Sequence, residues 1–175
     1  LIISCNARPL KTAPMLKTTA TPTPAPTPVS IETEDFSIDL GPEWKVEREG
    51  QSHIFNDEEN LRQISIAVLR PTNDAEKVDI EQLGRLAIKP RQDAMRQMSN
   101  GKVEFSPVKV IKVLDGYDLT FSADDPVNEV KIRSTTFARR SRVVTVSFNK
   151  YSPFPTDEDL DRQFAQIVSK IKIKN

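Results

Sequence analysis

Between Thr21 and Pro28 the chain reads Thr-Pro-Thr-Pro-Ala-Pro-Thr-Pro. Each proline lacks a backbone N–H and fixes φ at about −65°, so every second residue forbids both a sheet ladder and a helical bond. With Pro9 and Pro14 added, residues 6–31 read as a stiff, disordered tether rather than part of a folded body. At about 3.1 Å per residue in polyproline II, such a tether could hold a domain tens of ångströms from its attachment point. Folding is left to residues 32–175, an ordinary length for one domain. An interdomain linker has the same composition, and the proline run alone does not separate the two readings.

After Ile31 the pattern changes to alternation. Phe36, Ile38 and Leu40 alternate with Ser37 and Asp39, and Trp44, Val46 and Arg48 follow a Gly41-Pro42 turn. Period two with one apolar face predicts strands packed on one side. Ile54-Phe55 marks a short strand, and Ile64, Ile66 and Val68 a longer one ended by Pro71. Further strands are expected at 102–114, 116–123, 128–138 and 142–149, punctuated by Asn100-Gly101, Asp115-Gly116 and Asp124-Asp125-Pro126. The simplest arrangement is an antiparallel meander.

Two segments break that rhythm. Val78 to Met98 places Ile80, Leu83, Leu86, Ala87, Met95 and Met98 near helical spacing, with Pro90 expected to end or kink the helix. Leu160, Phe164, Ile167, Val168 and Ile171 form a second helical stripe. Thr156 with Asp159 supplies a capping-box-like start; Asp157, Glu158 and Asp159 suit the positive end of its dipole, and Lys170, Lys172 and Lys174 the negative end. Helices covering a sheet make the fold class α+β, a sandwich of antiparallel sheet and helices.

The beginning of the chain addresses location. Leu1 to Cys5 is apolar up to a small residue and then the only cysteine, and reads as the end of a secretory signal whose start is missing. Ile2-Ile3-Ser4-Cys5 resembles the bacterial lipobox. That resemblance implies cleavage after Ser4 and a diacylglycerol thioether on Cys5, with further acylation; two or three acyl chains anchor stably because each buried methylene is worth about 0.8 kcal/mol. Asn6, in place of aspartate, resembles lipoproteins passed to the outer membrane. The chain therefore divides into a lipoprotein signal remnant (1–5), the tether (6–31) and one binding domain (32–175), on the periplasmic face of the outer membrane. The competing reading of residues 1–5 is a short apolar stub with an incidental buried thiol.

The order Phe36-Ser-Ile-Asp-Leu40, a Gly/Pro turn, Trp44, Ile54-Phe55, the strand Ile64 to Arg70, a helix, an Asp-Gly turn, Arg142 to Asn149 and a terminal amphipathic helix resembles the PsbP-like or Mog/DcrB fold over residues 34–173. The family's usual Pro-x-Gly-Trp turn stands here as Gly41-Pro42-Glu43-Trp44. The resemblance implies an antiparallel sheet flanked by helices. Its members assemble photosystems, bind a nuclear GTPase, chaperone secretion effectors or confer periplasmic immunity, and share a non-catalytic binding surface.

Composition narrows the chemistry. The tether holds Arg8, Lys11 and Lys17 and no acid, so the domain is weakly acidic and a phosphate-binding face for nucleic acid is disfavoured. One cysteine and one histidine cannot build a disulfide framework or a zinc finger, and five scattered glycines build no phosphate loop. His53 reads as a partly exposed strand histidine rather than a base. Asp57, Glu58 and Glu59 read as a solvated turn rather than metal ligands, and no cofactor or metal is expected. Asp157, Asp159 and Asp161 open like an EF-hand but place Arg162 and Val168 where glycine and glutamate are required. Lys131, Arg133, Arg139, Arg140 and Arg142 form the one basic concentration, at the turn of a predicted hairpin. It reads as charge guarding a sheet edge or as a docking patch for an acidic partner. The sequence thus points to a lipid-anchored envelope protein that binds a protein partner, as an immunity or assembly factor. A small-ligand sensor or cryptic hydrolase is the alternative.

Overall fold

A computed structural model describes residues 27–49, 52–71 and 79–174. Cys5 and most of the tether lie outside the described residues. In chain order the elements are β1 (Val29–Glu32), β2 (Phe36–Leu40), β3 (Lys45–Glu49), β4 (Ser52–Asp57), β5 (Arg62–Leu69), α1 (Ile80–Met98), β6 (Glu104–Phe105), β7 (Lys109–Val113), β8 (Gly116–Asp125), β9 (Val130–Arg139), β10 (Val143–Tyr151), α2 (Asp157–Ser169) and β11 (Ile171–Ile173). Among the described residues, β1-β2-β11 form a small sheet. The large one runs β3-β4-β5-β10-β9-β8-β6, with β7 also on β8, and all these pairings are antiparallel. The fold is α+β, with antiparallel sheets and two helices.

Successive strand side chains point to opposite faces, and the register therefore sorts the apolar residues into two cores. On one face of the large sheet Phe55, Ile64, Ile66, Val144, Val146 and Phe148 pack against Phe36, Ile38 and Leu40 of the small sheet and Leu160 and Ile167 of α2. On the other face, and at the other half of the sheet, Leu119, Phe121, Ala123, Ile132 and Ala138 pack against Ile88 and Met95 of α1. Where the halves meet, Val143 to Phe148 of β10 are buried residue by residue, because each face there has a cover. At Gly84 the α1 backbone comes so close that an added Cβ would stand 2.6 Å from Leu119 Cδ1 and 3.0 Å from Ala138 Cβ. The α1 face turns polar toward β3. There Asn149, Gln63, Asn56 and Glu47 hand hydrogen bonds across four strands at 3.0, 3.0 and 3.1 Å.

Several boundaries differ from the sequence expectation. The tether gives way to β1 at Val29, because Val29 and Ile31 have an apolar face to pack against β2. Pro90 does not end α1. It stands exposed, as does Leu86, the residue whose carbonyl would have taken its N–H, so solvent can satisfy the orphaned oxygen. The buried stripe of α1 is Gly84, Ile88 and Met95, leaving Leu86 and Met98 exposed. The segment expected as one strand over 102–114 is two, β6 and β7, separated around Pro107. The last helix stops at Ser169, and Ile171 belongs to β11, paired with Ile38. Lys174 consequently reaches Glu32 across the small sheet at 2.8 Å instead of ending a helix.

Candidate interaction surface

The five basic residues do not form one patch. Lys131 and Arg133 lie near the start of β9 and face α2, whereas Arg139, Arg140 and Arg142 lie at the opposite end. From Arg133 to Arg139 the strand advances about 20 Å. Four of the five are committed to internal partners. Lys131 meets Asp157 at 2.8 Å and Asp124 at 3.5 Å, and Arg133 meets Asp161 at 2.5 Å and Asp157 at 3.1 Å. Arg139 meets Asp118 at 2.8 Å and Asp115 at 3.2 Å, and Arg142 reaches Asp35 at 3.3 Å and the Glu34 carbonyl at 2.8 Å. Only Arg140 of this set stands exposed at the β9–β10 turn. The hydrogen bond to Asp157 raises the Lys131 pKa, against the opposing effect of burial, and the same bond lowers that of Asp157. These charges fasten α2 and the hairpins to the sheet.

The other candidates resolve in the same way. His53 on β4 lies edge-on to the Phe36 ring, centroids 5.3 Å apart, beneath the small sheet. Thr156 caps α2 by accepting from the Asp159 N–H, and Asp157 and Asp161 face Arg133. Among the described residues no group of three His, Cys, Asp or Glu side chains is placed to hold a metal ion. Arg91 of α1 is the cation most affected by burial, which lowers its pKa to about 10; its Nη2 donates to Ser65 Oγ at 2.8 Å.

The sequence places turns at Asp57–Glu59 and Asp124–Pro126 but not their likeness, and Asp57, expected in a solvated turn, is fully buried because it caps that turn. Asp57-Glu-Glu-Asn60-Leu61 joins β4 to β5, and Asp125-Pro-Val-Asn128-Glu129 joins β8 to β9. In each, a buried aspartate takes hydrogen bonds from the turn that follows it. Asp57 Oδ1 accepts the Asn60 N–H at 3.1 Å, and Asp125 Oδ1 accepts those of Val127 and Asn128 at 3.0 and 3.2 Å. The asparagine amide also returns to the aspartate, at 2.9 Å in the first turn and 2.7 Å in the second. Each turn ends on a non-glycine residue in the left-handed region, Leu61 at φ 51° and Glu129 at φ 49°. The end of β10 holds both, Tyr151 N–H donating to the Leu61 carbonyl at 3.0 Å and Ser152 N–H to the Glu129 carbonyl at 3.1 Å. The repeated Asp-x-x-Asn was the available signal.

These turns and the β10–α2 loop present an apolar ridge at one end of the large sheet. Leu61, Val127, Tyr151 and Phe154 are 45%, 43%, 37% and 39% exposed. Two grooves of about 440 and 280 Å³ flank Phe154. Leu61, Pro153 and Pro155 line the first, and Pro126 and Val130 the second. Their cations are occupied: Arg62 by Asp57, Lys131 by Asp124 and Asp157, and Lys150 by the carbonyls of Tyr151 and Pro153. Among the described residues the exposed acids Glu59, Glu104 and Glu129 have no ion pair.

No protein-family model and no curated protein matches this chain. Its fold is similar to the solution structure of cyanobacterial PsbP (CyanoP) from Synechocystis sp. PCC 6803, with a TM-score of 0.60 and 12% identity over 85% of this chain and 92% of that one. A protein from Bacteroides thetaiotaomicron matches with a TM-score of 0.46 and 10% identity, over 80% of this chain and 45% of that one. The fold is PsbP-like.

Proposed function

We propose that this chain is a lipid-anchored protein of the bacterial cell envelope whose PsbP-like domain binds a protein partner, as an immunity or assembly factor, and catalyses nothing. The observation that carries the reading is Ile2-Ile3-Ser4-Cys5 followed at once by a proline-rich spacer and a single domain. Two or three acyl chains on Cys5 give the anchor, the tether gives reach, and the domain gives the binding surface. Binding rather than catalysis is favoured by how the charged groups are used: among the described residues they are spent on pairing across element boundaries or on capping turns. Replacing Cys5 by Ser is expected to move the protein from the membrane to the soluble fraction; unchanged membrane retention overturns the anchor.

A small-ligand sensor is the second reading. A groove of about 440 Å³ between α2 and β8–β9, lined by Thr120, Thr135, Phe164 and Val168, favours it. The Arg133–Asp161 pair lines that groove. A ligand needing either charge has to break the pair, which weighs toward the protein partner.

A further inference from the structure

We propose that the ridge formed by Leu61, Val127, Tyr151 and Phe154 is the docking surface, and that its partner is an extended, cationic, proline-bearing segment of another protein. This rests on the partner-binding half of the reading above and is independent of the anchor.

Three observations select the surface and its occupant. First, the ridge is apolar at loop tips, where the fold does not need it: none of the four residues belongs to either core. Second, it is built rigidly. Two aspartate-capped turns are pinned to the end of β10 through the Leu61 and Glu129 carbonyls, and both residues are kept in a conformation that glycine would adopt more readily. A leucine kept there, with its side chain half in solvent, fits a contact residue; strain of this kind gathers at binding sites. Third, the chemistry is one-sided. The grooves beside Phe154 offer aromatic and proline surface together with Glu59 in the first and Glu104 in the second, while every cation lining them is already engaged. Aromatic grooves receive polyproline-type segments because those arrive already extended, and unpaired carboxylates ask for lysine or arginine on the incoming chain.

The test uses the full chain and two synthetic probes, a peptide of repeated Lys-Leu-Pro units and its Glu-Leu-Pro counterpart, followed by amide chemical shifts. The lysine peptide is expected to give saturable shifts at 59–61, 127–130 and at Tyr151, Ser152 and Phe154, weakened by salt, and the glutamate peptide none. Phe154→Ala is expected to weaken the lysine peptide about tenfold, as loss of an interface anchor does, without lowering Tm. Leu61→Gly is expected to weaken it too while leaving Tm unchanged or higher. Equal response to both peptides, shifts elsewhere, or unaltered affinity in both variants overturns the proposal.

Other occupants give distinct outcomes. Shifts of the ridge with protein concentration alone would assign it to a second copy. Because Val29 pairs with Leu40, and the turn that follows ends at Lys45 beside Glu58, the tether joins the domain at this same end. Ridge shifts with phosphatidylethanolamine vesicles would therefore assign it to the membrane. Tighter peptide binding after Arg8, Lys11 and Lys17 are changed to Glu would assign it to the chain's own tether. Each of these overturns the partner. A photo-crosslinker placed at 154 or at 111 in the anchored protein separates the levels of failure. Crosslinks to a protein from 111 alone defeat this surface but keep partner binding, and crosslinks from neither defeat both.

Discussion

The turns after β4 and β8 share one plan and differ in one partner. In both, a buried aspartate caps its own loop, an asparagine closes the cap and a left-handed residue hands its carbonyl to the end of β10. The first turn adds an arginine. Arg62 donates its Nε to Asp57 Oδ2 at 3.0 Å, forms an ion pair with the same carboxylate, and stacks over Trp44 at 5.1 Å from the ring centroid. Among the described residues Asp125 has no such cation, and its carboxylate is satisfied by two backbone N–H groups and the Asn128 amide. The same geometry can therefore be held by charge pairing or by hydrogen bonding alone. The first ties the turn into a core through Trp44; the second leaves the turn as a self-contained cap.

Removing each aspartate should expose that difference most strongly. Asp57→Ala leaves the Arg62 guanidinium partly buried beside the core without its carboxylate, and a broken pair of that kind is expected to destabilise by about 3 kcal/mol. Asp125→Ala loses capping bonds but strands no charge, for which about 1–2 kcal/mol is expected. Chemical denaturation of the two variants measures both, and equal losses would show that the arginine adds nothing to the cap.

Acid sharpens the same contrast. Burial, the largest single influence, pushes the Asp57 pKa up. The hydrogen bonds from Arg62 and Asn60 and the Arg62 charge together outweigh burial and hold it below the ordinary aspartate range. A carboxyl whose folded pKa is depressed contributes stability that is whole above its unfolded pKa, about 3.9, and is lost as the pH falls through the folded value. The protein is therefore expected to lose stability below about pH 4 more steeply than Asp57→Asn, which carries no proton to gain there. Denaturation midpoints that run parallel from about pH 6 to about pH 2.5 would remove Asp57 from the account of acid unfolding.

What the sequence shows of these two regions is the strands and the places of the turns, not how the turns are held. Period two in Phe36–Leu40, Ile64–Val68 and Val144–Phe148 was legible because each strand turns its large apolar residues to one face, and the stripe Leu160-Phe164-Ile167 because α2 does the same. Pro90 misled because propensity knows nothing of which face is solvated. Ile171 fitted the helical stripe and the strand equally well, and its pairing with Ile38, distant in sequence, decided between them. The basic residues misled for a related reason. Proximity in sequence suggested one patch, but the length of β9 separates Arg133 from Arg139, and their carboxylate partners come from α2 and from β8 with its preceding turn. The twin turns carry a readable Asp-x-x-Asn, yet nothing local says that Leu61 and Glu129 end left-handed. That follows from the demand of β10 for two carbonyls.

The smallest effect tests whether those left-handed residues are kept for stability. Glycine at φ near 50° escapes the steric penalty that a side chain meets there, about 1 kcal/mol, though it also gives the unfolded chain more freedom. Glu129 is exposed and its side chain closes no ion pair among the described residues, so Glu129→Gly should raise stability by about 0.5–1 kcal/mol. Leu61 is more than half buried, and Leu61→Gly gives back the contacts of that buried part, so its gain should fall near zero. Thermal midpoints of the two variants set side by side decide the matter. A clear loss in Glu129→Gly would mean the glutamate side chain holds its turn, and the two turns would then differ in how they end as well as in how they begin.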